Sequence, residues 1–330
     1  MANILLTEKC VRSCPYCFAK KYMEGSEESD FLTWDNLIYL VDFFITSGER
    51  HLSLLGGEPG IHPDFDSFLI YLTQREIDVT VFTSGIISAP KIDNIKKHLP
   101  QNNKAKLKFV CNLNSPTLSH PKERESLDYF LSELGSHVTP GVNIYKDDFD
   151  WDYLFSYFEK YGLDSHLRVG LAHPILGAKN SCLSPLEIPQ IAERITHYYS
   201  RFNEKKISIG FDCGMPLCIF SDEQIGQLYK ISKGRLKFSC GPAVDIGPDM
   251  NVWACFPLAD VSKKSVFEFN SVQEIRDYFQ KLLSGNRKEI KGLFDECQDC
   301  SHYGTLCGGG CLTHIMAKTQ NLSKKTIAEA

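Results

Sequence analysis

Short apolar, β-branched runs alternate with amphipathic stretches over the first two thirds of the chain. The runs NILLT (3–7), HLSLL (51–55), VTVFTS (79–84), LKFVCNL (107–113), VNIY (142–145) and LRVGLA (167–172) predict strands. Helical periodicity falls between them, near 35–47, 65–74, 91–98, 126–135, 150–161 and 185–203. This alternation reads as about six βαβ units on a parallel sheet. Six is short of the eight that close a full barrel. The pattern alone therefore predicts an α/β architecture and leaves a partly open barrel and a doubly wound sheet both open.

The texture changes after about residue 205. ISIGFDC (207–213) still reads as a strand, and SDEQIGQLYKIS (221–232) opens on an N-cap serine and reads as a helix. CGPAVDIGPDMNVWACFPL (240–258) predicts a hairpin around a GPDMN turn, a helix follows at 271–284, and the segment CQDCSHYGTLCGGGC (297–311) is rich in cysteine and glycine.

A length of 330 residues suggests roughly two domains. With 43% hydrophobic, 23% charged and 12% aromatic residues the composition is ordinarily globular, and a net charge of −5 supplies no basic footprint for nucleic acid. The start, MANILLTEKC, lacks the basic and apolar regions of a secretory signal, and the longest apolar run, LIYLVDFFI (37–45), is too short for a bilayer. The expectation is a cytoplasmic protein without membrane or nucleic-acid partners. Its thirteen cysteines, an odd number, then point to metal rather than disulfides.

Cys10, Cys14 and Cys17 lie in CVRSCPYC, directly after the first predicted strand. A strand's C-terminal end is where parallel α/β folds place their chemistry. Three thiolates this close can hold three irons of a four-iron cluster and leave the fourth iron open, or hold zinc with a remote fourth ligand. CxxxCxxC with Tyr16 before its last cysteine resembles the radical S-adenosylmethionine (SAM) enzymes. Gly56-Gly57-Glu58-Pro59, after the second strand, is similar to that family's GGEP.

The resemblance implies a partial (β/α)6 TIM-like barrel, a SAM-binding [4Fe-4S] cluster on Cys10, Cys14 and Cys17, and SAM itself as cofactor. It implies reductive cleavage of SAM to a 5′-deoxyadenosyl radical that abstracts a substrate hydrogen atom. An external electron donor of flavodoxin or ferredoxin type goes with it. SAM contacts are implied for Tyr16, Gly56, Gly57, Glu58 and Pro59. Ser84 stands within Thr83-Ser84-Gly85, and Asn112 within Asn112-Leu113-Asn114-Ser115-Pro116, at the places of two further family segments. Asn143 and Gly170, on the fifth and sixth strands, resemble ribose and adenine contacts. Asn stands at position 114 where the family has a carboxylate, so no acid or base among the protein side chains is assigned.

Cys213, Cys218, Cys240, Cys255, Cys297, Cys300, Cys307 and Cys311 make eight further thiols, the ligand count of two four-iron clusters. Their spacing resembles the SPASM auxiliary-cluster domain, so the chain reads as a barrel over 1–205 and a small cysteine-rich α+β auxiliary domain over 206–330. Three departures stand out: six residues separate Cys300 from Cys307 where the family has five, Met250 occupies a glycine place in the hairpin turn, and no cysteine follows Cys311. Cys213 and Cys218 can restore the count, one per cluster, or one cluster keeps an open iron. CxxC followed by CxxxC also permits a zinc ribbon. His302 and His314 read as surface histidines, with a stand-in ligand role as the alternative. Cys111 reads as a buried free cysteine, and Cys182 has no assigned role.

The resemblance implies modification of a ribosomally made peptide by crosslinking, epimerisation or oxidation. Cys10 leaves no room for a fused leader-recognition domain, so a separate recognition protein, or none, is expected. The alternative within the class is oxidation or rearrangement of a small molecule such as a sugar or nucleoside. A zinc-bound, non-catalytic protein is the reading from a different class.

Overall fold

The computed structural model describes residues 2–23, 30–99, 105–212, 214–234, 236–241, 243–289 and 291–319. The predicted alternation appears as β1 (Ala2–Leu5), β2 (His51–Leu55), β3 (Asp78–Thr83), β4 (Leu107–Asn112), β5 (Val138–Ile144), β6 (His166–Leu171) and β7 (Ser208–Phe211). These strands pair in chain order, all parallel. A doubly wound sheet would reverse its strand order at a switch point. This one does not, and among the described residues β7 pairs only with β6. The fold is therefore an open, partial barrel.

The later segment extends the same sheet from its other edge. β8 (Val244–Ile246) joins β1 in parallel, and β9 (Asn251–Ala254) and β10 (Lys264–Ser265) follow antiparallel, giving one ten-stranded sheet. The helices are α1 (Lys20–Met23), α2 (Trp34–Thr46), α3 (Phe65–Gln74), α4 (Ala89–His98), α5 (Pro121–Leu134), α6 (Asp152–Tyr161), α7 (Ile191–His197), α8 (Tyr199–Glu204), α9 (Asp222–Ile231) and α10 (Val272–Glu289). Local chemistry sets their ends. Thr33 caps α2 by accepting from the Asn36 N–H, and Ser221 with Gln224 forms a capping box on α9. The inward stripe of α2, Leu37, Leu40, Val41 and Phe44, is fully buried. No helix among the described residues is long and apolar enough to cross a membrane.

Three elements differ from the periodic reading. α5 starts at Pro121 rather than 126, because proline is suited to a helix's first turn. β5 starts at Val138 rather than 142, since Pro140 and Gly141 hide its first half from any alternation count. The single helix expected over 185–203 is a 3₁₀ turn (Ile188–Gln190) followed by α7 and α8, which meet at Tyr198.

The hairpin turn keeps its glycine geometry without glycine. Met250 has φ +63°, with its N–H bonded to the Gly247 carbonyl at 3.0 Å. Left-handed backbone costs a side-chain residue about 1–2 kcal/mol. Full burial of the methionine side chain contributes about 1.5–3 kcal/mol, enough to hold it there.

β8 meets β1 through one buried polar pair. Asn3 and Asp245 are register partners, and Asn3 Nδ2 donates to Asp245 Oδ1 at 2.5 Å. Burial raises the Asp245 carboxyl from 3.8 to about 6, while the Asn3 amide and the Phe256 backbone N–H pull it down. The folded chain thus holds this proton more tightly than the unfolded chain does. The resulting stabilisation is complete below about pH 4 and is lost as pH rises through about 6, a swing of about 3 kcal/mol. Asp245→Asn keeps the shape and an acceptor oxygen. Urea unfolding should find it more stable than the parent at pH 8, by up to about 3 kcal/mol, and nearly equal at pH 4. An unchanged pH slope would mean that Asp245 does not carry the effect.

Candidate metal and cofactor site

β1 runs directly into the loop that carries Cys10, Cys14 and Cys17, and the three thiols are half-buried. The Arg12 backbone N–H donates to Cys10 Sγ at 3.4 Å, and the Cys17 N–H to the Cys14 carbonyl at 3.1 Å. Asn114 Nδ2 donates to Cys14 Sγ at 3.6 Å, and its Oδ1 accepts from the Tyr16 hydroxyl at 2.6 Å. A carboxylate at 114 could not donate to that sulfur, which gives the asparagine a physical reason. Burial, aided by Glu58 and the neighbouring thiols, raises Cys10 to about 12; burial and Cys14 raise Cys17 to about 11. Such thiols stay protonated at neutral pH unless a cation shares their pocket. The donor set fits a metal centre, because thiolates are the metal-binding form and binding releases their protons.

The glycines of GGEP have a structural task towards this loop. A Cβ on Gly56 would lie 2.2 Å from the Thr7 carbonyl oxygen, and one on Gly57 2.0 Å from that of Lys9. The chain closes there with Gly57 N–H to Thr7 O at 2.9 Å and Glu58 N–H to Lys9 O at 2.8 Å. Glu58 is fully buried. Its Oε1 accepts from Thr83 Oγ1 at 2.6 Å and the Gly60 N–H at 3.1 Å, and its Oε2 from the Ser84 N–H at 2.7 Å and hydroxyl. Glu58 thereby bolts the ends of β2 and β3 together, and Pro59 opens the buried turn that follows.

The ends of β4 to β6 complete the face. Asn112 Oδ1 accepts from Arg168 Nη1 at 3.5 Å, and Arg168 also pairs with Asp212. A Cβ on Gly170 would fall 2.5 Å from Asn143 Oδ1, so this glycine makes room for the asparagine amide. Burial and Cys14 raise the Tyr16 phenol, opposed by a hydrogen bond from Asn143, and its ring lies 4.9 Å from that of Tyr145. Asn180 Nδ2 donates to the carbonyls of Tyr16 at 3.1 Å and His173 at 2.8 Å, tying the loop after β6 to the cysteine loop. Arg168, Tyr145 and Asn180 were not singled out from the sequence. The one available signal was a charged residue inside the apolar run LRVGLA.

The later cysteines separate into two neighbourhoods. Cys218, raised to about 11 by burial, also feels Cys307, Cys297 and Cys300, and the Leu217 N–H donates to Cys307 Sγ at 3.5 Å. The Cys255 thiol is pushed well up by burial and then by Asp245, Cys311 and Cys240. Cys255 also sits at φ +61°, strain of the kind that gathers at functional sites. Burial would raise Cys311 as well, but the flanking imidazoles of His173 and His314 hold it well below the ordinary thiol range. Cys213 lies outside the described residues.

His302 is exposed, as expected. His314 is not a surface residue: it is 4% exposed and faces Cys311, because residues 312–319 form a helix that turns it inward. Cys111 is fully buried, near Gly85 with Leu127 and Phe130, as expected of a free core cysteine.

Residues 4–152 match the radical SAM superfamily. Molybdenum cofactor biosynthesis protein 1 of Bos taurus is 32% identical over 144 residues, 43% of this chain and 21% of that protein. GTP 3′,8-cyclase of Sulfurimonas denitrificans is 30% identical over 87 residues, 26% of this chain and 27% of the cyclase. The chain thus spans between a fifth and about a quarter of the length of these curated relatives. Among solved structures, native anSMEcpe with bound AdoMet aligns with a TM-score of 0.64 at 18% identity, over 95% of this chain and 90% of the other. Streptococcus suis SuiB bound to its precursor peptide SuiA aligns at 0.63 and 15% identity, over 96% of this chain and 72% of SuiB. At these identities the likeness is one of fold, and it runs through the cysteine-rich region, which is consistent with a SPASM-like extension. The match over residues 4–152 and the open barrel agree on a radical SAM domain in this chain, a superfamily whose members use SAM and a four-iron cluster.

Proposed function

We propose that this chain modifies a ribosomally made peptide by radical chemistry, with two auxiliary four-iron clusters beside the SAM-binding one. When bound, cluster and SAM supply abstraction of a hydrogen atom from an unactivated carbon. Cys10, Cys14 and Cys17 hold the first cluster, and Asn114 and the Arg12 N–H orient two of those sulfurs. Gly56 to Pro59, Tyr16, Ser84, Asn112, Asn143 and Gly170 form the face on which SAM rests. Residues 1–205 and the edge strand β7 act as the barrel, and the rest of 206–330 as the auxiliary unit. Electrons come from a flavodoxin- or ferredoxin-type donor, and a separate protein presents the peptide leader.

The observation that carries the peptide reading is the partition of the later thiols. Cys218 joins Cys297, Cys300 and Cys307, which makes a set of four thiols. Cys240, Cys255 and Cys311 form the other set. The peptide-bound likeness of SuiB supports the substrate class.

The second reading, a small-molecule reaction on a nucleoside or sugar, is favoured by the sequence likeness to GTP 3′,8-cyclases. Reduced, reconstituted protein should be incubated with SAM and, separately, with a neighbouring precursor peptide or with GTP. A mass change in the peptide that disappears in Cys297→Ala supports the proposal. Turnover of GTP with the peptide untouched would overturn it.

A further inference from the structure

Cys311 ends the glycine-rich segment and is followed at once by the helix over 312–319. His314, three residues on, lies on the same side of that helix. His173 arrives from the barrel, just beyond the end of β6. All three are buried, with 8%, 3% and 4% of His173, Cys311 and His314 exposed. Their ligand atoms lie within 4.8 Å of one another, and the two imidazole rings approach edge to face at 5.7 Å.

Among the described residues, Nδ1 of His173 and both ring nitrogens of His314 have no hydrogen-bond partner. An unsatisfied buried polar group costs about 1–3 kcal/mol. Two buried imidazoles beside one thiol, with three ring nitrogens free of other partners, make a set of ligand atoms that a metal ion would satisfy. The backbone is also drawn in tightly here. Gly214 has φ +95°, and a Cβ on it would meet Cys311 Cβ at 2.8 Å and His173 Cε1 at 3.4 Å. His302 shows the contrast, since it lies in the same cysteine-rich segment but is exposed.

We propose that His173, Cys311 and His314 form a mixed thiolate–imidazole metal site, with Cys311-x2-His314 chelating from the C-terminal segment and His173 from the barrel. The inference rests on the auxiliary-centre reading in that Cys311 is taken to bind metal. Thiolate with imidazole suits iron or zinc. The metal is a zinc ion held by all three side chains, or the fourth iron of the centre on Cys240, Cys255 and Cys311, which takes one of the two imidazoles as its single terminal ligand. The site joins the loop after β6 to the chain's last helix, so metal loading fastens the C-terminal segment onto the barrel. Histidine ligation of an iron–sulfur centre also raises its potential.

The test uses the full chain with Cys10, Cys14 and Cys17 all replaced by Ala, so that only the later centres load. It is reconstituted anaerobically with ferrous iron and sulfide, or separately with zinc. In the iron sample, pulsed EPR of the reduced protein should show strong coupling to a directly bound imidazole nitrogen, a readout that needs no further variant. His173→Ala combined with His314→Ala should remove that coupling and speed metal loss to a chelator about tenfold or more, and His173→Ala combined with His314→Cys should restore metal content without nitrogen coupling. If zinc is the resident metal, the same two variants should lose and regain one tightly held zinc per chain. Unchanged iron and zinc content in His173→Ala and His314→Ala, with no nitrogen coupling in the parent, would overturn the histidine site and leave the auxiliary clusters standing. A parent that takes up neither iron nor zinc would overturn the auxiliary reading and this site with it.

Discussion

Cys14→Ala is expected to reduce 5′-deoxyadenosine formation from SAM to the level of a protein-free control. Cys14 is the middle of three thiols on one loop, and its sulfur is the one that accepts from the Asn114 side chain at 3.6 Å. Alanine leaves two thiols, too few to hold three irons. It also leaves the Asn114 amide, positioned by the Tyr16 hydroxyl, without its sulfur acceptor. Liquid chromatography of anaerobic reactions, with iron measured on the same sample, reads both effects. Full SAM cleavage by the variant would place the first cluster elsewhere. Asn114→Asp should fall between: three thiols remain, but an acceptor oxygen then faces the Cys14 sulfur, so cluster loading weakens.

Gly57→Ala should be nearly as damaging, although it removes no ligand. Its Cβ would come within 2.0 Å of the Lys9 carbonyl oxygen and 2.4 Å of the Lys9 carbonyl carbon, both backbone atoms that cannot swing away. The segment Thr7–Lys9 must shift, which breaks two backbone hydrogen bonds, Gly57 to Thr7 and Glu58 to Lys9. Such a clash with lost bonds costs about 2–4 kcal/mol. Glu58 would also move relative to Thr83 and Ser84. The expected result is a lower Tm and loss of SAM binding by equilibrium dialysis. Gly226→Ala is the control, since nothing lies within 4 Å of a Cβ there and α9 should gain up to about 1 kcal/mol. If Gly57→Ala binds SAM as the parent does, the glycines are not needed for the approach of the cysteine loop.

Much of this was legible because period and position coincide. The strands HLSLL and VTVFT and helices α2 and α3 are regular, so alternation and the 3.6 period place them closely. β5 was half hidden because Pro140 and Gly141 are strand residues only in the context of their neighbours. Periodicity could not say that β8 would join β1 in parallel, because the partners, Ala2 with Val244, Asn3 with Asp245 and Ile4 with Ile246, lie far apart in the chain. CVRSCPYC and GGEP were readable as chemistry, but not the close approach of Gly56 and Gly57 to Thr7 and Lys9, which involves no side chain. His314 looked like a surface histidine because a lone polar residue near a cysteine-rich segment carries no sign of which way its helix faces. Its burial against His173 is a tertiary fact.

The most direct measurement of the central claim, three clusters on this one chain, is the iron content and Mössbauer spectrum of the full-length protein reconstituted anaerobically. About twelve irons per chain are expected, in three four-iron clusters, falling to about eight when Cys10, Cys14 and Cys17 are replaced. A protein that binds only about four irons, or none but zinc, would contradict it.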